Sequence, residues 1–220
     1  MAWEGLPHYQ ELFHIERNLI NDYFFLKSMI EQGLKRLTVT GTCYEYGLRD
    51  GCLSENIPTC PTTCYGLAKD TLRRFLEALQ PSSPFNFKWT RLFFMHGPGQ
   101  NPNSLIPLVD LAVKSKTPVF DMSGGEQLRD YLPVEKTAEL IVKVSLQSRY
   151  NGIFNICSGR PISVRRLIEQ RIEEQGGRLK LNLGALPYPK HEPMAFWGDV
   201  SRLNMAIQAY EEEYGNGHQG

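Results

Sequence analysis

The sequence predicts an α/β chain built on a largely parallel sheet, on three observations. Short strand-like runs alternate with segments of helical period along most of the chain. The 220 residues are 41% hydrophobic and 22% charged, enough to bury a single core with about 70% of the unfolded surface removed from water. There is no internal repeat and no low-complexity segment.

Residues 8–33 are expected to form one long helix, because Leu12, Ile15, Leu19, Tyr23, Leu26 and Ile30 recur every three or four positions and Gly33 sits where a C-cap belongs. Leu37-Thr38-Val39-Thr40 reads as a short buried strand. Residues 43–64 carry Gly47, Gly51, Pro58 and Pro61 and read as a long loop, a kind that usually serves function. Residues 65–80 form a helix stopped by Pro81 and Pro84. Residues 86–95 are a strand running into the turn Gly97-Pro98-Gly99. A helix at 104–115, a strand at 118–122 ending at Ser123-Gly124-Gly125, and a short strand at 130–132 follow. Next come a helix at 135–148, a strand at 152–156 and a helix at 163–175 opened by Ser163. The stretch 182–197 is rich in proline and aromatic residues and is expected to be irregular, and residues 211–220 to fray.

Lys+Arg and Asp+Glu both number 24, which argues against a protein that lives on nucleic-acid phosphates. No apolar run approaches the ~18 residues of a membrane span, and the first residues lack the pattern of a secretion signal. The five cysteines, Cys43, Cys52, Cys60, Cys64 and Cys157, are an odd number without zinc-ligand spacing. They imply free thiols in a reducing cytoplasm and no metal.

Tyr65-Gly66-Leu67-Ala68-Lys69 opens a helix, and the i, i+4 spacing sets a phenol and an ammonium on one face. A phenol must fall about three pKa units, about 4 kcal/mol, to ionise near neutrality. An ammonium ~4 Å away at an effective dielectric near 20 supplies about that much. Tyr23 and Lys27 repeat the spacing, but Tyr23 lies on an ordinary apolar stripe. What singles out Tyr65 is Thr40-Gly41-Thr42, which ends a buried strand upstream. A hydroxyl there can share a substrate oxygen with the tyrosine.

With these residues the chain resembles the extended short-chain dehydrogenase/reductases, the NAD-dependent epimerase/dehydratase group that acts on nucleotide sugars. Thr40 to Gly47 matches the family's strand-end motif, with Thr42 on its catalytic Ser/Thr. Tyr65 and Lys69 match its Y-x-x-x-K. Arg91 through Gly99, Arg129-Asp130-Tyr131-Leu132-Pro133-Val134, and Phe154-Asn155 through Gly159 to Ser163 match three later motifs. Phe94 and His96 depart from it, replacing an asparagine and a tyrosine.

The resemblance implies a Rossmann-like sheet with a small C-terminal substrate-binding part. Residues 1–100 would be a partial dinucleotide-binding domain and residues 101–210 mainly substrate-binding, with a strand and helix near 130–160 returning to the core. It implies Thr42, Tyr65 and Lys69 as catalytic residues, and Asn18, Thr40, Tyr65 and Lys69 around NAD or NADP. Thr42, Arg129 and His96 would meet a nucleoside-diphosphate sugar. For Arg129 the alternative is a surface pair with Asp130, and for His96 a structural place in its turn. The family dimerises through two helices, here 8–33 and 65–80. It also opens with a strand, a glycine-rich turn and a helix that hold the pyrophosphate. Nothing before residue 8 matches that opening, so the first half, on the order of 70 residues, is expected to be missing. The one literal G-x-G-x-x-G, Gly215 to Gly220, follows no strand and opens no helix.

Two functions therefore stand. One is an NAD(P)-dependent reductase or epimerase acting at C4 of a deoxyhexose in surface-polysaccharide synthesis. Dehydration is disfavoured, because Cys43 and Tyr44 stand where dehydratases carry Asp-Glu. The other is a non-catalytic remnant serving as a subunit-association module.

Overall fold

A computed structural model describes residues 3–188 and 192–215. The chain enters through tight turns and a wide π-helical turn, His14–Leu19, that runs into α1 (Ile20–Glu31). It continues through β1 (Arg36–Thr42), a 3-10 turn Cys43–Tyr46, β2 (Gly51–Leu53), α2 (Cys64–Leu79), β3 (Asn86–Leu92) and β4 (Phe94–His96). Then come α3 (Leu105–Lys114), β5 (Val119–Met122), β6 (Leu128–Arg129), β7 (Tyr131–Pro133), α4 (Val134–Leu146) and β8 (Gly152–Ile156). The chain closes with β9 (Ile162–Ser163), α5 (Val164–Glu174), β10 (Lys180–Leu183), β11 (Phe196–Gly198) and α6 (Ser201–Tyr214).

The central sheet is β1-β3-β8, parallel throughout, in a register that runs from Arg36 opposite Asn86 to Thr42 opposite Leu92. Parallel strands need cover on both faces. On one face the π-helical turn, α1 and α2 bury Leu19, Leu26, Ile30, Leu72 and Leu76 against Leu37, Val39, Phe87 and Trp89. On the other, α4 and α6 bury Leu140, Val144, Leu203 and Ala206 against Phe154 and Ile156. A second, smaller core lies between α3 and α5 under the β5-β10 pair, formed by Ile106, Val109, Ile168, Ile172 and Leu179. The strand-end turns meet in a third cluster, Cys43, Tyr46, Leu53, Phe93, Cys157 and Phe196, which is the floor beneath the site.

Three expectations are corrected. The first helix starts at His14, not at residue 8, and Leu12 is exposed. The preceding chain is held by the start of α2, where the Tyr65 N–H donates to the Tyr9 carbonyl (2.9 Å) and so meets one of the helix's unpaired donors. The face of this helix that turns inward carries His14, Asn18 and Asp22 besides its leucines. The described residues of the stretch 182–197 include the ends of two strands, residues 189–191 lying outside them, and α6, which no start signal marks, follows it. Residues 211–214 do not fray but continue α6. They are pinned to the α4 end by Lys143–Glu211 (3.3 Å) and by Glu213 accepting from the Ser148 N–H (3.0 Å).

Glu45, wholly buried, organises the strand end. Its Oε1 accepts from the Thr42 N–H (2.9 Å) and Trp89 Nε1 (2.9 Å), and its Oε2 from Arg91 Nε (2.7 Å). Gly41 allows this approach, since a Cβ there would lie 2.1 Å from Trp89 Nε1 and 2.3 Å from Glu45 Oε1. Burial pushes the Glu45 carboxyl up while Arg91 holds it down. Removing one partner of a buried pair leaves the other charge uncompensated, at about 3–5 kcal/mol. Glu45→Ala should therefore lose about that much in urea unfolding, and Glu45→Met with Arg91→Met clearly less. Equal losses would show that the pair does not act as a unit.

Candidate active site

Thr42 ends β1 and Tyr65 begins α2, whose N-cap Thr63 accepts from the Gly66 N–H (3.0 Å). The two ends converge on one cavity, where the Thr42 hydroxyl is near enough to the Tyr65 phenol to act on its titration. Lys69, one turn further along α2, is buried and donates to the Thr40 carbonyl (3.0 Å), with its ammonium 4.0 Å from the centroid of the Trp3 ring. Thr40, Thr42, Tyr65 and Lys69 line one cavity of about 280 Å³ together with Trp3, Tyr9, Tyr44, Phe94 and Met95. Among the described residues none that lines it is a carboxylate.

The expected depression of Tyr65 by Lys69 does not occur. Burial pushes the Tyr65 phenol up, and the Thr42 hydroxyl offsets only part of that. Lys69 is turned toward the Thr40 carbonyl and the Trp3 indole instead. Burial brings its own pKa down to about 8, against the opposing pull of Asp22 and Glu45. Tyr65 is thus held as a proton donor. Cys43 and Tyr44 are likewise pushed up by burial and stay protonated.

Arg129 lies in a second cavity of about 320 Å³, lined also by Phe94, Leu105, Phe120, Gln127, Tyr131 and Glu192. Phe94 lines both cavities. Arg129 does not pair with Asp130. That carboxylate is buried and accepts from the Ser158 and Gly159 N–H groups (2.7 and 2.8 Å). Arg129 instead meets Glu192, Nη2 to Oε2 at 2.9 Å. Two expected residues stand apart. Asn18 lines neither cavity, and its amide donates to the Glu4 carbonyl (3.0 Å). His96 ends β4 opposite Pro133 of β7 and lines neither cavity.

Several site residues escaped the sequence reading. His14 is fully buried, accepts from Trp3 Nε1 at Nδ1 (2.9 Å) and has Nε2 3.0 Å from the His8 carbonyl, which fixes the neutral tautomer; burial lowers its pKa. Its ring lies 5.4 Å from that of Tyr65. The i, i+4, i+8 spacing of His14, Asn18 and Asp22 inside an apolar pattern was the available signal. Tyr44 and Glu192 gave none, since their hydrogen bond (2.6 Å) joins positions 148 residues apart.

A profile described as the NAD dependent epimerase/dehydratase family matches residues 10–157. The dTDP-6-deoxy-L-talose 4-dehydrogenase (NAD(+)) of Aggregatibacter actinomycetemcomitans is 31% identical over 199 residues, 90% of this chain and 73% of that protein. The chain belongs to the NAD-dependent epimerase/dehydratase family. It is also 25% identical to the UDP-glucose 4-epimerase of Halalkalibacterium halodurans, over 73% of this chain and 54% of that protein. In fold it resembles the UDP-N-acetylglucosamine 4-epimerase from Methanobrevibacter ruminantium M1 in complex with UDP-N-acetylmuramic acid. That likeness has a TM-score of 0.80 at 22% identity and covers 92% of this chain and 68% of that one. The Rossmann-type parallel sheet is thereby established.

The donor set of the first cavity fits the ribose end of a nicotinamide cofactor. Lys69 is a buried ammonium that keeps donor capacity beyond its bond to Thr40, beside the Tyr65 phenol. Among the described residues no strand runs into a G-x-G-x-x-G turn, and residues 216–220 of the literal match lie outside them.

A lowered folded pKa makes the Lys69 charge a cost of folding below pH 8, a cost that fades as pH rises toward the unfolded value near 10.5. Lys69→Met should therefore stabilise the fold at pH 7 by roughly 2–3 kcal/mol, and by much less at pH 10. Equal effects at both values in urea unfolding would contradict the burial account.

Proposed function

We propose that this site transfers hydrogen at C4 of a nucleoside-diphosphate 6-deoxyhexose, as part of an NAD(P)-dependent reductase or epimerase of surface-polysaccharide synthesis. The observation that carries the reading is that Thr42, Tyr65 and Lys69 line one cavity, which shares the Phe94 wall with a cavity holding Arg129. A nicotinamide, held at its ribose by Lys69 and the Thr40–Tyr65 wall, would supply or accept the hydride. Tyr65, kept protonated by burial, gives its proton to the oxygen developing on the sugar carbon. The Thr42 hydroxyl bonds the same oxygen and fixes its direction. Arg129 meets the diphosphate, where a planar guanidinium suits the oxygens.

The walls of the first cavity support a 6-deoxy sugar. Tyr9, Tyr44, Phe94 and Met95 offer rings and a thioether to a methyl group. The same walls disfavour 4,6-dehydration, which needs a second acid and base, because the residues after Thr42 are a thiol and a phenol that burial holds neutral. The talose dehydrogenase and the dTDP-4-dehydro-6-deoxyglucose reductase of Escherichia coli, 25% identical over 158 residues, are relatives whose names fit this chemistry.

The helices α1 and α2 leave Ile20, Phe24, Phe25, Met29, Leu67 and Phe75 exposed, with Phe24 at 61%. Apolar side chains gathered on one helix pair mark an interface, and a second copy of the chain is the occupant that the family's mode of dimerisation implies.

Two measurements check this reading. The absorbance of added NADH or NADPH should fall when the protein meets it together with a nucleoside-diphosphate 4-keto-6-deoxyhexose, and Tyr65→Phe should cut kcat about 10²–10⁴-fold with sugar-nucleotide binding kept. Full activity in Tyr65→Phe would remove the assigned proton donor, and no cofactor binding at millimolar concentration would favour the association module. In sedimentation, Phe24→Glu with Phe75→Glu should turn a dimer into a monomer. A monomeric parent chain would refute the interface.

A further inference from the structure

Lys69 is a buried cation without a carboxylate in contact. Among the described residues Asp22 and Glu45 act on it through their fields, and neither hydrogen-bonds it. Two groups do touch the ammonium. The Thr40 carbonyl accepts from it at 3.0 Å, and the centroid of the Trp3 ring lies 4.0 Å from Nζ. An indole face is the best aromatic partner for a cation, and it counts for most where water is kept away.

Trp3 is itself held in place. Its Nε1 donates to His14 Nδ1 (2.9 Å), and the two rings are nearly parallel, at 17° with centroids 6.2 Å apart. That bond needs a neutral imidazole with its proton on Nε2, the tautomer that the His8 carbonyl selects at 3.0 Å. The next residue is clipped to the same helical turn. The Glu4 carbonyl accepts from Asn18 Nδ2 (3.0 Å), and its carboxylate pairs with Arg17. Gly5 then turns the chain at φ +85°, so close to Phe13 that a Cβ would lie 2.1 Å from its ring. His14, Arg17 and Asn18 all belong to the π-helical turn His14–Leu19, a feature that recurs at functional sites.

We propose that residues 3–5 are a strap clipped to the π-helical turn, and that through it Trp3 and His14 are positioning residues that fix the Lys69 ammonium for the cofactor ribose. The proposal rests on reading Lys69 as the group that meets that ribose. A lysine ammonium ends a flexible four-carbon stem, so its direction must be imposed from outside. Of its three N–H groups one is engaged by Thr40, and the indole takes one side. What remains is aimed into the cavity that Lys69 shares with Tyr65. The same strap accounts for the weak coupling of Lys69 to Tyr65. The indole meets the phenol ring edge-on, at 66° with centroids 6.0 Å apart, and draws the ammonium to its own face. Asn18, which lines neither cavity, has its place here as an anchor of the strap.

Two readouts test this on the full chain. With 13C-labelled lysine, the Lys69 ε-methylene protons, assigned by their loss in Lys69→Met, should be shifted upfield because they stand over a ring face. Trp3→Leu should return them to ordinary lysine positions. In titrations with NADH and with NADPH, followed by nicotinamide fluorescence, Trp3→Leu and His14→Leu should each weaken binding about tenfold. His14→Asn keeps an acceptor at the Nδ1 position and should recover most of that loss. In a Lys69→Met background the Trp3→Leu loss should vanish, since a positioning residue acts only through the group it positions. Should His14→Leu fail to fold, the half-buried Trp3 carries the test alone. No upfield shift in the parent chain, no loss in Trp3→Leu, or the same loss with and without Lys69 would overturn the positioning and leave the reading of Lys69 standing. Lys69→Met binding as tightly as the parent, or no binding of either cofactor to the parent at millimolar concentration, would overturn that reading and the positioning with it.

Discussion

The site depends on a carboxylate that never meets a ligand. Glu45 sits at zero exposure under the end of β1 and gathers the Thr42 N–H, the Trp89 indole and the Arg91 guanidinium onto its two oxygens. Thr42 and Glu45 close a reciprocal cap on the 3-10 turn, and this fixes the direction in which the strand delivers its hydroxyl. Arg91 comes from the neighbouring strand in register with Gly41, and its guanidinium lies 4.5 Å from the Tyr46 ring. Tyr46 in turn donates to Asn155 on the third strand (2.8 Å). A polar brace therefore crosses the β1-β3-β8 sheet at the level of Thr42. It is costly to bury and costly to break, which is what a strand end that must not move requires.

From that brace the electrostatics of the site follow. Once the strand end and the start of α2 are packed together, burial governs the titrating groups more than their partners do. It raises Tyr65, Tyr44 and Cys43 and lowers Lys69. The phenol is held as an acid, and the ammonium is a cation whose charge is only partly compensated, near the place where a ribose would bring hydroxyls. Beyond Phe94 the logic is the reverse, since Arg129 is neutralised by a carboxylate in contact with it.

Much of this was legible in the chain, and the limits are physical. Thr42, Tyr65 and Lys69 could be found because each is marked by local spacing: a strand end, a helix start and one helical turn. The strand at 152–156 and the helices near 65–80 and 104–115 could be found because period and stop signals are local too. The start of the first helix was misplaced because Leu12 continues a helical period that the turns before His14 do not obey. The strength of the Lys69–Tyr65 coupling was misjudged because spacing sets a shared face but not where a flexible ammonium turns. The Tyr44–Glu192–Arg129 contacts were invisible because they join residues 63 and 148 positions apart.

The measurement that tests the account most directly is a crystal structure of the protein with a nucleoside-diphosphate 6-deoxyhexose. The account places the C4 oxygen within about 3.2 Å of both the Tyr65 and Thr42 hydroxyls, with the diphosphate on Arg129 across Phe94. A sugar bound with C4 away from that hydroxyl pair, or a diphosphate held elsewhere, would contradict it.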